Sequence, residues 1–180
     1  MTMPERDSES RQSVEWTLRH EVTVRDCEAV RNIVADTGFF RSDEIDVAVE
    51  LVDARLATGA ASGYEFIFAQ CGERVAGYTC YGHIACTLGS YDLYWIAVAP
   101  EFQGRGLGQF LLAESERLIQ KSGGRHVYIE TSSLPQYLPT RAFYERCGYV
   151  IIAEFDDFYD HDDDKVVWRK ILTSNACSGL

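Results

Sequence analysis

The feature that most constrains this sequence is an apolar segment that leads, through a glycine-rich loop, into a helical pattern. The segment 95–98 is rich in strand formers and ends shortly before Pro100. Three glycines follow, Gly104, Gly106 and Gly108, together with leucines at helical spacing, Leu107, Leu111 and Leu118. The sequence therefore predicts a strand joined to an amphipathic helix by a short loop.

The start of this predicted helix is suited to binding an anion. The first N–H groups of a helix have no intrahelical acceptor and lie at the positive end of the helix dipole. Glycines let a bulky anion approach the backbone closely, and Arg105 adds a forked cation that suits phosphate oxygens. The alternative interpretation is a glycine-rich turn that binds no ligand.

Two common phosphate loops do not fit the segment. A Walker loop ends in Gly-Lys-Ser/Thr, whereas this loop reads Leu107-Gly108-Gln109 at that place. A dinucleotide fingerprint needs G-x-G-x-x-G spacing and an acidic residue about 20 positions later, and the glycines at 104, 106 and 108 do not have that spacing.

Two segments resemble motifs of the GNAT superfamily of N-acetyltransferases. Val98-Ala99-Pro100 followed by Gln103-Gly104-Arg105-Gly106-Leu107-Gly108 resembles the coenzyme A pyrophosphate loop of that family. The segment 142–149 resembles the family's Ala-x-x-(Phe/Leu)-Tyr-x-x-x-Gly-Phe motif. It departs from the motif because Phe143 follows Ala142 directly. Pro139-Thr140 also stands where the family often has an asparagine, so that cofactor contact has no counterpart here.

The remaining patterns predict a mixed α/β (α+β) domain with the GNAT order of elements, β-α-α-β-β-β-α-β-α-β-β. Strands are predicted at 16–24, 64–69, 75–86, 91–98, 126–131, 149–155 and 165–172, and helices at 27–35, 43–58, 107–121 and 139–147. We expect a mostly antiparallel central sheet with flanking helices and one parallel β-α-β unit around helix 107–121. A single domain is predicted over 14–172, with tails at 1–13 and 173–180.

The resemblance implies acetyl-CoA as cosubstrate and no metal. The backbone of Ile96, Ala97 and Val98 is expected to bind the pantetheine arm as an added strand, and the loop is expected to hold the pyrophosphate. The full cofactor-binding set predicted in this way is Ile96, Ala97, Val98, Gln103, Gly104, Arg105, Gly106, Leu107, Gly108, Gln109, Ser132 and Phe143.

Acetyl transfer to an amine needs an acid for the leaving thiolate and a base for the amine. Tyr144 occupies the family's acid position, and a tyrosine with a pKa of about 10 stays protonated at neutral pH. The alternative for Tyr144 is a core aromatic whose hydroxyl only bonds a backbone carbonyl. Glu130 is the favoured base, since a charge near the end of a central strand is costly unless it is used or paired. Asp92, at the opposite end of its strand, and a relayed water are the other candidates.

Two further segments are candidates for substrate contact. Phe39 and Phe40 precede a helix, and either one of them lines a pocket or they form a hydrophobic staple ahead of a cap at Ser42 or Asp43. The segment 154–164 holds seven acids and no Lys or Arg. It is either a collar that attracts a cationic amine or a solvated hairpin loop. Asp160-His161-Asp162 within it lacks the spacing of a calcium loop.

Composition excludes several classes of function. The net charge of −11 and the pI of 4.8 argue against a nucleic-acid surface. No apolar run approaches the roughly 20 residues of a membrane span, and the N-terminus lacks the apolar core of a signal peptide. The six cysteines form no CxxC pair, so we expect free thiols and a cytoplasmic location.

Together these patterns predict an N-acetyltransferase that moves the acetyl group of acetyl-CoA directly to an amine, with a small-molecule amine as the expected partner. The alternatives are acetylation of a protein N-terminus or lysine, and a non-catalytic acyl-CoA-binding module on the same fold. Whether two chains pair as a homodimer is left open.

Overall fold

A computed structural model of the chain describes residues 16–172; the predicted tails, 1–13 and 173–180, lie outside the described residues. The strands are β1 (Thr17–Arg19), β2 (Glu65–Cys71), β3 (Arg74–His83), β4 (Ser90–Val98), β5 (His126–Ser132), β6 (Val150–Asp160) and β7 (Asp163–Ile171). The α-helices are α1 (Arg25–Asp36), α2 (Ser42–Thr58), α3 (Leu107–Lys121) and α4 (Leu138–Arg146). None of the described helices has the length and apolar character needed to cross a membrane.

The strands form one seven-stranded sheet in the order β1-β2-β3-β4-β5-β7-β6. Only β4 and β5 are parallel, because the connection between them runs through α3 and returns the chain in the same direction. All other neighbours in the sheet are antiparallel. This arrangement confirms the predicted fold class, a mixed sheet with one parallel β-α-β unit.

Helices cover both faces of the sheet. One apolar cluster packs α3 and α4 against the sheet, and its fully buried members include Leu111, Ile119 and Tyr149. The other packs α1 and α2 against the opposite face, with Val30 and Val52 fully buried. The parallel pair β4–β5 therefore lies in the middle of the sheet, with α3 behind it.

The first strand is much shorter than predicted, because the chain turns away after Arg19. Asp26 is buried and accepts hydrogen bonds from the Thr23 backbone N–H and from both terminal nitrogens of Arg19. These bonds fix the turn, so the expected strand at 20–24 does not form. Asp26 directly precedes the predicted helix 27–35, a position from which an aspartate can cap a helix, but α1 begins at Arg25 and its N-cap is Val24.

The last two strands are longer than predicted. The acidic segment was expected to be a loop, but β6 continues to Asp160 and β7 begins at Asp163, with a two-residue turn between them. Because β6 is an edge strand and most of its residues are exposed, its carboxylates remain solvated and incur no burial penalty. Most of these acids therefore lie on a projecting hairpin.

Candidate active site

A crevice opens where β4 and β5 separate. The parallel ladder ends at the pair Asp92–Tyr128, and no strand among residues 16–172 pairs with the β5-facing edge of 93–98. On the other side, β4 stays paired with β3 as far as Val98. The register of β3 against β4 shifts at Tyr94, and such a bulge bends and twists a strand. The predicted pantetheine site, Ile96 to Val98, thus lies on a strand edge that is free to accept an extended ligand.

The glycine loop forms an N–H cradle next to this free edge. Gly106 is the N-cap of α3 with φ +83°, and no heavy atom lies within 4 Å of the position a Cβ would occupy. The first backbone bond of the helix runs from the Phe110 N–H to the Gly106 carbonyl, 3.0 Å. Within the described part of the chain, the N–H groups of residues 106–109 have no acceptor. The loop therefore offers an anion site at a helix N-terminus.

The side chains around the N–H cradle differ in their exposure and in their contacts. Arg105 is exposed and forms no ion pair with a described residue, so its charge is available to a ligand. Leu107 is 1% exposed in the core, so only its backbone N–H faces the cradle region. Phe143 of α4 lies behind Gly108, with its Cζ 3.7 Å from the position of an added Cβ. Gln109 is exposed in the first turn of α3.

Tyr144 lies in α4, on the same face of the sheet as α3. Its ring is 4% exposed and packs against the rings of Phe143, Tyr149 and Trp168, with centroid distances of 5.3, 5.8 and 6.4 Å. Burial raises the pKa of its hydroxyl well above 10. The hydroxyl makes no hydrogen bond to another residue of the described chain, so the alternative of a phenol bonded to a backbone carbonyl is not observed. An acid that protonates a thiolate must itself be protonated and must not already donate its hydrogen bond to another residue. The Tyr144 hydroxyl meets both requirements.

A cavity of about 240 Å³ lies at the closed end of the crevice. It is lined by Asp92, Leu93, Tyr94, Tyr128 and Glu130. Glu130 is exposed and forms an ion pair with Lys165 of β7, with 3.0 Å between Oε1 and Nζ. Asp92 is half-buried, and its carboxylate has no hydrogen bond or ion pair with a described residue. Burial raises the pKa of Asp92 to about 6, the charge of Glu130 adds to the rise, and Lys165 opposes it.

The sequence ranks Asp92 below Glu130 as a candidate base, and in the structure both residues line this cavity. Position along β4 suggested the far end of the strand, but separation of β4 from β5 begins immediately after Asp92. The sequence also gave no sign of Lys165, because its partner Glu130 lies 35 positions away and the two meet only through the pairing of β5 with β7. A larger cleft of about 720 Å³ runs along α1, remote from these residues, and the bidentate Arg19–Asp26 pair already occupies part of its lining.

The predicted substrate residues lie in the loop before α2. The ring of Phe40 packs against Trp95 of β4, 5.0 Å between centroids, while Phe39 is 44% exposed and lies 6.4 Å from Tyr137. The two rings therefore diverge, one into the core and one to the surface. The N-cap of α2 is Arg41, whose N–H is accepted by Glu44, so the predicted caps at Ser42 or Asp43 are wrong.

Ser132, predicted to contact the cofactor, has an engaged hydroxyl. Its Oγ donates to Asp163, 2.5 Å, and accepts from the Leu134 N–H, 3.0 Å. Both Ser132 and Asp163 are buried. The hydroxyl thus ties the end of β5 to the start of β7, while the Ser132 carbonyl accepts a hydrogen bond from the guanidinium of Arg141, 3.4 Å.

Comparison with known proteins agrees with this geometry. Residues 62–151 match the family model described as an acetyltransferase (GNAT) domain. A crystal structure from Desulfovibrio desulfuricans, described as that of a GNAT-family acetyltransferase, is 47% identical; the match covers 88% of this chain and all of that one, with a TM-score of 0.87. A search of curated proteins found no match.

Two more distant structures share the fold at a TM-score of 0.69. One is the ribosomal-protein-S18-alanine N-acetyltransferase from Escherichia coli, 18% identical, with 92% of this chain and 99% of that chain covered. The other is an aminoglycoside 6'-N-acetyltransferase complexed with coenzyme A, 13% identical, with 87% and 97% covered. The family match, the close structural relative, the free strand edge and the N–H cradle lead to one assignment: the chain belongs to the GNAT family of acetyltransferases, which use acetyl-CoA as acyl donor.

Proposed function

We propose that this protein transfers the acetyl group of acetyl-CoA directly to an amine of a small molecule, in a ternary complex without an acyl-enzyme. The observation that carries the proposal is that the free edge of β4 begins where the acid-lined cavity lies. Asp92 is the last residue paired with β5 and also lines that cavity. A thioester aligned on the free edge would therefore meet an amine held in the cavity.

The cofactor is proposed to lie along the crevice in one direction. Its diphosphate accepts hydrogen bonds from the N–H groups of residues 106–109, with Arg105 neutralising charge. Its pantetheine amides pair with the free edge of β4 at Ile96 and Val98. This direction brings the thioester toward the closed end of the crevice, between the face that carries Tyr144 and the cavity that holds the carboxylates.

The proposed chemistry uses residues on both sides of the thioester. A cavity carboxylate, Asp92 or Glu130, accepts a proton from the ammonium group, and the neutral nitrogen then forms a bond to the thioester carbon. The C–S bond breaks, and Tyr144 gives its phenolic proton to the sulfur. The second amine proton leaves the new amide nitrogen and restores the phenol, so that one proton is released for each acetyl group transferred.

The size and surroundings of the cavity favour a small acceptor. A volume of about 240 Å³ accommodates an aminoalkyl group, and two aromatic residues, Tyr94 and Tyr128, line the cavity. The exposed acids of the β6–β7 hairpin add a negative field that favours cations in general. No contact in the described structure specifically favours a protein substrate. The unpaired carboxylate of Asp92 favours an enzyme over a silent binding module, since a half-buried carboxylate without a partner is costly to keep without a use.

An acceptor screen tests this proposal. Purified protein is incubated with acetyl-CoA and separate amines: alkyl monoamines, diamines, aminoglycosides, and peptides with free N-termini or lysines. Release of coenzyme A thiol and acetylated product by mass spectrometry are both measured. We expect equal amounts of thiol and N-acetyl product with at least one small amine. Acetylation of peptides alone would contradict the small-molecule assignment, and binding of acetyl-CoA with no transfer to any acceptor would contradict the enzymatic one.

A further inference from the structure

The two carboxylates of the cavity are not equivalent, and the difference assigns them separate roles. Glu130 is exposed, and its charge is compensated by Lys165 at 3.0 Å. The Lys165 ammonium is itself held in place, since it also lies 4.1 Å from the ring centre of Phe158. The Glu130 carboxylate is therefore already paired with a cation of the protein itself.

Asp92 differs from Glu130 in every one of these respects. It is half-buried at the last rung of the β4–β5 ladder, and no described residue donates a hydrogen bond to its carboxylate. An unpaired carboxylate in a partly desolvated site gains most from a bound ammonium ion or a proton. It also lies two residues before the Tyr94 bulge, where β4 turns its free edge toward the crevice.

We propose that Asp92 is the catalytic residue that receives the proton of the acceptor amine, and that Glu130 is a positioning residue held beside it by Lys165. The assignment rests on the proposed acetyl transfer. The ammonium N–H bond breaks, its proton passes to a carboxylate oxygen of Asp92, and the lone pair left on nitrogen attacks the thioester carbon. Asp92 then returns its proton to solvent through the mouth of the cavity.

The charged and titratable groups around Asp92 determine how the site responds to pH. Glu130 comes from β5, Lys165 from β7, and Tyr94 and Tyr128 line the same cavity. Glu130 makes Asp92 a stronger base and Lys165 makes it a weaker one, while burial raises the pKa of Tyr94 to about 12 and keeps that phenol neutral. The net result is a carboxylate with a pKa of about 6, which is ionised at neutral pH yet more basic than an ordinary aspartate.

The kinetic test measures kcat/KM against pH with the small amine identified by the screen. For Asp92→Asn we expect a loss of about 100-fold or more at pH 7.5, with acetyl-CoA affinity unchanged and the acidic limb of the profile abolished. For Glu130→Gln we expect less than a tenfold loss at pH 8 and an acidic limb moved to lower pH. For Lys165→Met the limb should move to higher pH. Asp36→Asn, which removes an exposed acid at the end of α1, is the matched control and should leave the profile unchanged.

The opposite pattern would overturn the assignment. If Glu130→Gln abolished transfer while Asp92→Asn kept both the rate and the acidic limb, Glu130 would be the base. Carboxyl NMR of the unliganded protein gives a readout that does not depend on activity: Asp92 should titrate near pH 6 and at lower pH in Glu130→Gln. A titration of Asp92 at an ordinary aspartate pKa would also refute the inference. Failure of the wild-type protein to acetylate any amine would instead refute the proposed function.

Discussion

The side-chain amide of Gln103 donates a hydrogen bond to the carbonyl oxygen of Val98, with 3.0 Å between Nε2 and O. Val98 is the last residue on the free edge of β4, and Gln103 begins the glycine loop. The bond therefore joins the proposed pantetheine site to the proposed diphosphate site. Gln103 was predicted to contact the cofactor, but the structure places its side-chain amide on the protein, where it fixes the relative position of two binding segments.

Removing this bond should weaken cofactor binding without altering the chemical step. A hydrogen bond of this kind contributes about 0.5–1.5 kcal/mol, so Gln103→Leu should raise the Kd for acetyl-CoA by about 2- to 10-fold. Calorimetric titration measures the change, and Gln136→Leu, at an exposed position in the turn before α4, is the control. Unchanged affinity in Gln103→Leu would show that the bond does not organise the site.

The N–H cradle can be tested with a pair of glycines that share one backbone conformation. Gly106 is the N-cap of α3 and Gly123 follows its C-cap, Ser122; their φ angles are +83° and +84°, and neither has a heavy atom within 4 Å of an added Cβ. Glutamate at either position incurs a similar left-handed backbone cost of about 1–2 kcal/mol. Only Gly106→Glu places a carboxylate over the proposed diphosphate site, and we expect acetyl-CoA binding to be abolished there and retained in Gly123→Glu. Equal affinity in the two variants would place the diphosphate elsewhere.

Tyr144→Phe should separate the acid role from a packing role. The ring is buried among three aromatic rings, and phenylalanine preserves those contacts while removing a hydroxyl that has no partner in the described chain. We therefore expect unchanged thermal stability and unchanged acetyl-CoA affinity, with kcat lower by about 100-fold. Transfer to amines measured by thiol release gives kcat. A parallel loss of stability and rate would assign Tyr144 to packing alone.

The parts of the molecule that follow local patterns were predictable from the sequence. The strand-loop-helix from Trp95 to Leu118 and the order of elements depend on residue spacing and on the backbone freedom of glycine, which neighbouring residues encode. The cavity was not predictable in this way. Asp92, Glu130 and Lys165 come from three strands, and they meet because β4 leaves β5 after a single short ladder. No local signal marks where two parallel strands separate.

Two predictions failed, the strand at 20–24 and the loop at 154–164, because long-range contacts override local sequence patterns there. Asp26 has the sequence of a helix cap, but its buried ion pair with Arg19 uses the carboxylate to fix a turn. The acids of β6 have the composition of a loop, but an edge strand leaves them solvated, so strand formation is not penalised. In both cases tertiary position overrides the preference of the residue.

The half-buried carboxylate of Asp92 should lower the free energy of unfolding at neutral pH. Its pKa is about 6 in the folded protein and 3.8 when unperturbed. Between these values the folded state holds a proton that the unfolded state has released, so the stability of the wild-type protein falls as pH rises through this range. Above pH 7 that loss is complete and constant. Asparagine carries no charge at any of these pH values, and Asp92→Asn should therefore avoid the loss.

Thermal melts of Asp92→Asn and wild type from pH 5 upward, above the pI of 4.8, measure this effect. We expect the Tm of the variant to rise relative to that of the wild type between pH 5 and 7 and then to stay higher by about 2–4 °C. The difference is this small because solvent screens a half-exposed carboxylate. Asp36→Asn, at an exposed site, should show a difference that does not vary over the same range. A difference for Asp92→Asn that is constant or shrinks with rising pH would mean that burial does not perturb this carboxylate, and the basicity assigned to it would then have no structural cause.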